Sequence, residues 1–256
     1  PVWASIFAWL VLREAITAIT AQNTSGVSAV HALPPDLLTA QIDAVIDDIG
    51  VDAVKIGMLH DAEVVRAVAR ALRRHRPRHV VLDPVMVATS GDRLIAPDTQ
   101  DVLVRELFPL VDLITPNLDE AGWLLGRALD DVQSLAPAAR DLQALGARAV
   151  LLKGGHLAGP VLTDLLLHGD ALQRWDGPRI DTRNTHGTGC TLSTAVACEL
   201  ALGHPLTTAV ERARDYVRTA LQAGAGVHVG QGYGPLNHGA SPRPAVHRPI
   251  GFTGGA

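Results

Sequence analysis

The sequence predicts an α/β fold in which helices cover both faces of a mostly parallel β-sheet. Apolar, strand-like runs alternate with amphipathic helical patterns from one end to the other, which is typical of consecutive βαβ units. Hydrophobic residues make up 47% of the 256 positions, so the chain can bury a full core. No internal repeat, linker-like stretch or shift in composition divides it, and we therefore expect a single domain.

Five apolar runs have the length and composition of buried strands, and helical patterns fill the intervals between them. The alternation of the two patterns is what favours parallel pairing, because each helix can carry the chain back to the start of the next strand. The runs span residues 15–20, 51–57, 79–84, 111–115 and 147–153.

Three segments carry the clearest helical periodicity. In residues 35–49, apolar side chains recur from Leu38 at spacings of four, three and four, and Gly50 follows as a stop signal. Residues 61–74 begin with an acidic N-cap candidate and end with basic residues, which suits the helix dipole. Residues 205–224 repeat the apolar spacing.

Charge and composition exclude some classes of protein. A net charge of −4 and an aromatic content of 4% argue against a nucleic-acid surface. The two cysteines, Cys190 and Cys198, lie eight residues apart on one predicted helix. That separation is about 12 Å along the helix axis, which is too far for a disulfide. We therefore expect a reduced, cytoplasmic protein.

The two ends of the chain differ from the rest. Residues 1–14 form an atypical apolar segment that is too short to span a bilayer and lacks the features of a signal peptide. We expect it to be a helix packed on the core. Pro1 is not an initiating residue, which favours a fragment or a processed chain. Residues 239–256 are rich in Pro, Gly and His without periodicity, and we expect them to be disordered.

The most informative stretch is residues 182–193, in which two glycines flank a threonine just before an alanine-rich helical pattern. Without side chains at Gly187 and Gly189, backbone N–H groups can point to one spot at the helix N-terminus, where an anion is favoured. Cys190 lies in that field, which favours its thiolate form. An anion cradle with a titratable side chain indicates phosphoryl transfer, although an ordinary Gly-rich loop before a helix has the same pattern.

Polar side chains also follow four of the predicted strands. In open α/β sheets, ligands bind beyond the carboxyl ends of the strands, so we expect these four groups to meet in one site. The groups are Lys55 to Met58, Asp83 to Met86, Thr115 to Glu120 and Lys153 to His156.

Several of these residues could serve phosphoryl transfer, which needs cation ligands and positive charge for the nucleotide phosphates. Asn117 and Glu120 share one face of a helix start, and together with Asp83 they could hold Mg²⁺ through water. The same pair is also a capping-box pattern, and Asp83 could be only a turn residue. Lys153 could reach a nucleotide phosphate or could be an exposed lysine at a turn. The histidines show no metal-ligand spacing with suitable partners.

Eight short motifs follow one another along residues 15–238. They are Thr-Ala-Gln-Asn-Thr at 20–24, Val-Lys-Ile-Gly-Met-Leu at 54–59, Val-Leu-Asp-Pro-Val-Met at 81–86, Ser-Gly-Asp at 90–92, Ile-Thr-Pro-Asn-Leu-Asp-Glu-Ala at 114–121, Leu-Lys-Gly-Gly-His at 152–156, Asn-Thr-His-Gly-Thr-Gly-Cys-Thr-Leu-Ser at 184–193 and Gly-Tyr-Gly-Pro-Leu-Asn-His at 232–238. In content and order they resemble the hydroxymethylpyrimidine/phosphomethylpyrimidine kinases of thiamine biosynthesis, in the ribokinase-like superfamily.

This resemblance implies a three-layer, ribokinase-like kinase domain over residues 15–238. Such an enzyme uses ATP and Mg²⁺ to phosphorylate 4-amino-5-hydroxymethyl-2-methylpyrimidine and then its monophosphate. Gln22 matches a glutamine whose amide pairs with the amino and ring nitrogens of the pyrimidine. Met58 and Val85 match residues that pack against the ring.

The matched positions also imply roles in the transfer itself. Gly187, Thr188 and Gly189 match the anion hole. Cys190, as base or hydroxyl-orienting group, occupies the position of the aspartate base of related sugar kinases. Asn117, Glu120 and Lys153 match positions near Mg²⁺ and the ATP phosphates. We therefore expect Asn117, Lys153 and Thr182 to bind the nucleotide, and Asp83 and Glu120 to bind Mg²⁺.

One part of the family pattern is missing. Family members begin with a strand and a Gly-rich loop that supply part of the pyrimidine pocket, whereas residues 1–14 contain no glycine. A catalytically inactive remnant that still binds nucleotide or pyrimidine phosphate is therefore one alternative. A pyridoxal-type vitamin kinase is another, since related folds phosphorylate a similar ring alcohol. The resemblance also implies a homodimer that has a small-molecule substrate and contacts neither nucleic acid nor membrane.

Overall fold

The computed structural model describes residues 13–86, 94–96, 98–155, 157 and 159–242, and these contain eight β-strands and seven α-helices. Most of the apolar N-terminal segment, the motif at 90–92, His156 and most of the predicted C-terminal tail lie outside the described residues. The strands are β1 (Ala18–Asn23), β2 (Gly26–Ala32), β3 (Val54–Ile56), β4 (Val80–Leu82), β5 (Leu113–Ile114), β6 (Ala149–Lys153), β7 (Val161–His168) and β8 (Ala171–Pro178). The helices are α1 (Pro35–Ile49), α2 (Ala62–His75), α3 (Thr99–Leu107), α4 (Leu118–Leu125), α5 (Leu135–Ala144), α6 (Thr188–Ala201) and α7 (Leu206–Gly224).

Six of the strands form one sheet in the order β3-β4-β5-β6-β7-β8. The first four run parallel, with Val54 opposite Val80 and Ile114 opposite Val150, whereas β7 and β8 are antiparallel to their neighbours. β1 and β2 pair separately as an antiparallel hairpin. The mostly parallel sheet is confirmed, and the carboxyl ends of β3 to β6 lie along one edge of it.

Successive side chains of a sheet strand enter two different hydrophobic layers. In β6, Val150 and Leu152 share a buried cluster with residues of α2, α3 and α5, whereas Ala149 and Leu151 share one with residues of α6 and α7. All four side chains are fully buried. A sheet that is covered on both faces explains why its strands read as continuous apolar runs, and it gives the expected three layers.

The helices begin and end at their sequence signals. α1 spans the predicted residues 35–49, with Pro35 in its first turn and Gly50 at a φ of 76° immediately after it. Asp61 is the N-cap of α2, as predicted, and the helix ends at His75, one residue beyond the predicted segment. The carboxylate of Asp61 accepts a hydrogen bond from the Val64 N–H at 2.9 Å.

Neither hairpin is among the elements expected above, although the sequence carries a signal for one of them. The run at 15–20 extends into β1, which turns back into β2, and their side chains are half-buried or exposed. Hydrophobic alternation is therefore weak in this region. β7 and β8 are joined through Gly169, at a φ of 57°, and Asp170. A Gly-Asp pair between two apolar runs is a hairpin signal that the sequence does carry.

The structure bears on two properties of the chain, the state of its cysteines and the presence of a membrane-spanning helix. Cys190 and Cys198 are both free, as the helical spacing predicts. Within the described part of the chain, no helix combines the length and the apolar character that crossing a bilayer requires.

Candidate active site

A cleft of about 2570 Å³ opens at the edge of the sheet where β3 to β6 end. Its lining extends well beyond the strand ends, to residues of α1, β3, α4, α6 and α7. The four strand-end groups meet there, as expected for an open α/β sheet. The predicted site residues that line it are Gln22, Met58, Asp83, Val85, Asn117, Glu120, Lys153, Thr182, Gly187, Thr188, Gly189 and Cys190.

The anion cradle forms at the N-terminus of α6. Gly187 is the N-cap with a φ of 81°, a left-handed conformation that disfavours a side chain. The Thr188 N–H donates to the Thr185 carbonyl at 3.2 Å. Among the described residues, nothing accepts a hydrogen bond from the backbone N–H groups of Gly189 and Cys190. Two free amides backed by the helix dipole provide a place for a phosphoryl oxygen.

Asn184 fixes the loop that leads into this cradle. Its Nδ2 donates to the carbonyls of Gly224 and Val227, both at 2.6 Å. A Cβ atom at Gly234 would lie 2.0 Å from the Asn184 Oδ1, so a side chain cannot be placed there without a shift. The His186 N–H donates to the Gly234 carbonyl at 3.0 Å. The loop before α6 is thus bound to the segment after α7.

Asp83 and Lys153 form a buried ion pair beside the cradle. The Lys153 Nζ lies 2.8 Å from the Asp83 Oδ1, which also accepts from the Thr115 hydroxyl at 2.9 Å. Burial disfavours both charged forms, but the opposite charges outweigh it, lowering the pKa of Asp83 and raising the pKa of Lys153. A Cβ atom at Gly189 would lie 3.0 Å from the Lys153 Nζ. Lys153 is therefore a buried cation at the cradle and not an exposed turn lysine.

Asn117 and Glu120 form a complete capping box at the start of α4. The Asn117 side chain accepts from the Glu120 N–H at 2.9 Å, and the Glu120 carboxylate accepts from the Asn117 N–H at 2.8 Å. Burial raises the pKa of Glu120 to about 7, with Lys153 opposing and Asp83 reinforcing the rise. The capping alternative is thus correct, and Glu120 also interacts electrostatically with the Asp83–Lys153 pair.

The residues assigned to the pyrimidine ring line the cleft from different elements. Gln22 is exposed on β1, Met58 follows β3 and Val85 follows β4. Thr182, assigned to the nucleotide, has a structural contact as well. Its Oγ1 accepts from the Asn184 N–H at 3.1 Å, so it supports the residue that fixes the cradle.

The acidic groups limit the kind of metal site that can form. The described residues contain no group of three His, Cys, Asp or Glu side chains placed to hold an ion. Asp83 and Glu120 each commit a carboxylate oxygen to a hydrogen bond within the protein, and Lys153 supplies a positive charge close to both. Such a pair suits a cation that keeps most of its water, as Mg²⁺ does, rather than one held directly by several side chains.

Lys55 is a candidate that sequence patterns did not single out for a role. Its half-buried side chain lines the cleft, and its charge helps to lower the pKa of Asp83 against the effect of burial. A Cβ atom at Gly57 would lie 2.8 Å from the Lys55 Nζ, so the ammonium group lies over the backbone at the end of β3. A lysine in the middle of a three-residue strand beside buried Ile56 is the signal that could have identified it.

Known sequences resemble this chain over most of its length. Residues 11–237 match the model of the family described as phosphomethylpyrimidine kinase. The hydroxymethylpyrimidine/phosphomethylpyrimidine kinase of Rhizobium meliloti is 51% identical over 224 residues, which is 87% of this chain and 84% of that protein.

Solved structures resemble it as well. A phosphomethylpyrimidine kinase from Clostridium difficile matches with a TM-score of 0.71 and 37% identity, covering 81% of this chain and 85% of the other. An ADP complex of Bacillus subtilis pyridoxal kinase matches with a TM-score of 0.80 and 35% identity, covering 88% of this chain and 85% of the other. These similarities confirm the ribokinase-like architecture.

Proposed function

The chain belongs to the phosphomethylpyrimidine kinase family, and on that premise we propose that it phosphorylates 4-amino-5-hydroxymethyl-2-methylpyrimidine and then the resulting monophosphate, with ATP as the donor. The observation that carries the proposal is the position of the Lys153 ammonium, 3.0 Å from where a Gly189 Cβ would lie, beside the free amides of α6. Phosphoryl transfer depends on positioning and charge neutralisation, and these groups supply both. We assign the reaction to thiamine biosynthesis, because a relative from Geobacter sulfurreducens is named as a bifunctional protein of that pathway.

In the first transfer, the nucleophile is the hydroxymethyl oxygen. Gln22 pairs with the pyrimidine nitrogens, and Met58 and Val85 pack against the ring. Cys190, whose side chain is exposed to the cleft, removes or orients the hydroxyl proton as the oxygen attacks the γ-phosphorus. The β–γ bridging oxygen leaves with ADP, and the free amides of Gly189 and Cys190 hold the oxygens of the moving phosphoryl group.

The nucleotide side of the cleft neutralises the charge of the triphosphate. Lys153 faces the phosphates while it remains paired with Asp83. Asn117 and Thr182 contribute polar groups on the same side. Asp83 and Glu120 would hold Mg²⁺ through its water, and the bound ion supplies additional neutralisation of the phosphate charge.

The direct test is product analysis of the 256-residue chain incubated with Mg·ATP and the hydroxymethylpyrimidine. We expect the monophosphate to appear first and the diphosphate to follow. A folded chain that binds nucleotide or pyrimidine phosphate but yields neither product would overturn the proposal and favour the inactive remnant.

Pyridoxal is the competing substrate because the Bacillus subtilis pyridoxal kinase has the same fold at a TM-score of 0.80. Fold similarity does not select between the two ring alcohols. When both are offered together, we expect the pyrimidine to be phosphorylated preferentially, in line with the 51% identity to a pyrimidine kinase. Preferential formation of pyridoxal phosphate would instead favour the vitamin kinase alternative.

Two further assignments follow from family membership and are proposals here. We place the enzyme in the cytoplasm, where ATP is available and its two free cysteines stay reduced. We also propose a homodimer, which the mass of the protein in solution tests directly.

A further inference from the structure

Lys55 is unusual among the cations of the cleft. Its side chain is half-buried, yet it makes no hydrogen bond or ion pair with any residue in the described part of the chain. Its charge acts on Asp83, but no acceptor in the described residues contacts its ammonium group, so that half-buried group is suited to a ligand that supplies a negatively charged acceptor. Every other lysine or arginine that lines the cleft has a partner within the protein: Arg13, Arg127, Lys153, Arg179, Arg214 and Arg218.

The position of Lys55 is between the two parts of the site. The Nζ lies 2.8 Å from where a Cβ of Gly57 would be, and the next residue is Met58, which is assigned to the pyrimidine ring. On the other side, the Lys55 charge acts on Asp83, whose Oδ2 lies 3.6 Å from the Cβ position of Gly189 in the cradle. The ammonium group is thus placed near the path from the ring to the cradle, where the substituent that is phosphorylated must lie.

The two transfers present different charges at that point. The first substrate carries a neutral hydroxyl group, whereas the second carries a phosphate with about −1.5 to −2 charges near pH 7. Lys153 is already paired with Asp83 and also interacts with Glu120, so part of its charge is compensated before any substrate enters. The charge of the substrate phosphate, added beside the triphosphate, therefore favours an additional cation.

We propose that Lys55 binds the phosphate of the phosphomethylpyrimidine and is required selectively for the second transfer. This inference rests on the proposed function and deepens it. In the second transfer, an oxygen of the substrate phosphate attacks the γ-phosphorus and a new P–O–P bond forms. The bond from the γ-phosphorus to the β–γ bridging oxygen breaks, and its electron pair leaves with ADP. A dianionic phosphate brings no proton to the reaction, so Lys55 supplies charge where the first transfer needs a base.

The test separates the two transfers by supplying each substrate on its own. In the variant Lys55→Met, we expect kcat/KM for the monophosphate to fall on the order of 100-fold, mainly through KM, because a charge-assisted contact is lost. For the hydroxymethylpyrimidine we expect a change of less than about threefold. Lys55→Arg, which keeps the charge, restores most of the second activity. Arg70→Met removes an exposed charge outside the cleft and serves as the matched control.

A second variant keeps the lysine but moves its ammonium group. In Gly57→Ala, the new methyl group would lie 2.8 Å from the Lys55 Nζ and displace it. We therefore expect kcat/KM for the monophosphate to fall selectively, but only about 10-fold. This variant decides the question if Lys55→Met does not fold. Equal losses for both substrates, or no loss for the monophosphate, would overturn the inference.

Binding measured without ATP distinguishes failure of the inference from failure of the proposed function. By calorimetry, Lys55→Met should bind the phosphomethylpyrimidine on the order of 100-fold more weakly than the unmodified chain and the hydroxymethylpyrimidine equally well. This difference is expected whether or not the chain turns over. Unchanged affinity for the monophosphate would refute the role of Lys55 even in an active enzyme.

Discussion

Cys190 and Cys198 lie on the same helix and both line the cleft, but Cys190 is exposed whereas Cys198 is buried. Cys198 is buried on α6, and burial, reinforced by the charge of Glu199, raises the pKa of its thiol to about 12. A thiol in that environment stays protonated and cannot exchange protons with a substrate near neutral pH. The difference between the two positions makes each the natural control for the other.

Replacing Cys190 should therefore separate the two transfers in the direction opposite to Lys55. In Cys190→Ala, we expect kcat for the hydroxymethyl group to fall on the order of 100-fold or more, as for the loss of a general base. The second transfer should suffer less because a phosphate oxygen needs no base. Steady-state kinetics with each substrate measure both values.

Cys198→Ala removes the other thiol and should leave kcat for both transfers within about twofold, since its side chain does not touch the reacting groups. Unchanged turnover in Cys190→Ala would contradict the assigned role, provided that thermal unfolding shows an intact fold.

The raised pKa of Glu120 predicts how stability depends on pH. Because burial raises this pKa from 4.5 to about 7, the folded chain binds a proton more readily than the unfolded chain. The resulting stabilisation is fully present below about pH 4.5 and is lost as the pH rises through 7. It amounts to at most about 3.5 kcal/mol, because the pKa rises by about 2.5 units and each unit is worth roughly 1.4 kcal/mol. Glu120→Gln cannot titrate and keeps the capping pattern, so its free energy of unfolding should fall less over this interval.

Denaturant unfolding at pH 5 and pH 8, without nucleotide or Mg²⁺, measures that difference. The pKa of Asp83 is lowered and that of Lys153 is raised, so neither group titrates in this interval. Parallel pH profiles for the two proteins would show that Glu120 is charged throughout the interval.

At the level of single elements, the end of β6 combines tight packing with the proposed nucleotide site. Lys153 ends the strand and is followed by two glycines that have different surroundings. A Cβ atom at Gly154 would lie 1.8 Å from the Thr163 carbonyl oxygen on β7, whereas one at Gly155 would have no neighbour within 4 Å. Only the first glycine is required by the packing of the sheet.

This pair gives a matched test of strand packing. Gly154→Ala should lower the free energy of unfolding by roughly 2–4 kcal/mol, because the backbone of β7 must move to admit the methyl group. Gly155→Ala should change it by less than about 1 kcal/mol. Denaturant titrations of both variants provide the comparison, and equal losses would show that the approach of β6 and β7 is not the limiting contact.

The helices and strands also show which parts of the fold can be predicted from sequence patterns. α1 and the parallel strands are predictable because their apolar spacing reflects burial, and the meeting of polar groups at the strand ends follows from the parallel arrangement. The β1–β2 hairpin is not predictable in this way, since it buries little apolar surface. The contact between Asp83 and Lys153 joins residues 70 positions apart, so it depends on the order of the strands rather than on local sequence.

The site residues also differ in how well the sequence alone predicts their roles. The spacing of Asn117 and Glu120 is compatible with both a capping box and a metal site, and only the contacts establish the capping box. The free amides of α6 follow from the Gly187-Thr-Gly189 pattern itself. Lys55 acquires significance only when the partners of all the neighbouring cations are known.

At the scale of the whole molecule, the segment 228–238 connects parts of the site that are distant in sequence. The Tyr233 N–H donates to the Thr24 carbonyl at the tip of the β1–β2 hairpin at 3.0 Å, and the Gly232 N–H donates to the Thr24 hydroxyl at 3.2 Å. The hairpin that carries Gln22 is thereby attached to the same segment that supports the cradle through Gly234.

Disrupting the attachment of the hairpin to this segment should lower kcat/KM for the substrate more than it lowers the stability of the fold. A Cβ atom at Gly232 would lie 1.8 Å from the Thr24 carbonyl oxygen, so Gly232→Ala must displace the hairpin tip. We expect kcat/KM for the hydroxymethylpyrimidine to fall about 10-fold, because a small displacement of a positioning residue is costly in catalysis. Gly226→Ala, with no neighbour within 4 Å of the new Cβ, is the control for steady-state kinetics. A loss of the same size in the control would argue against the hairpin as the cause.

The long contact between Thr24 and Gly232, 208 residues apart, also sets the order in which the molecule can mature during synthesis. A nascent chain that has reached the end of α6 lacks both α7, which covers the apolar face of α6, and the residues that fix Asn184. Such an intermediate exposes hydrophobic surface and has no complete cradle, so it is a natural client for chaperones. Catalytic competence should therefore arise only after residue 234 has left the ribosome, as one late event rather than in stages.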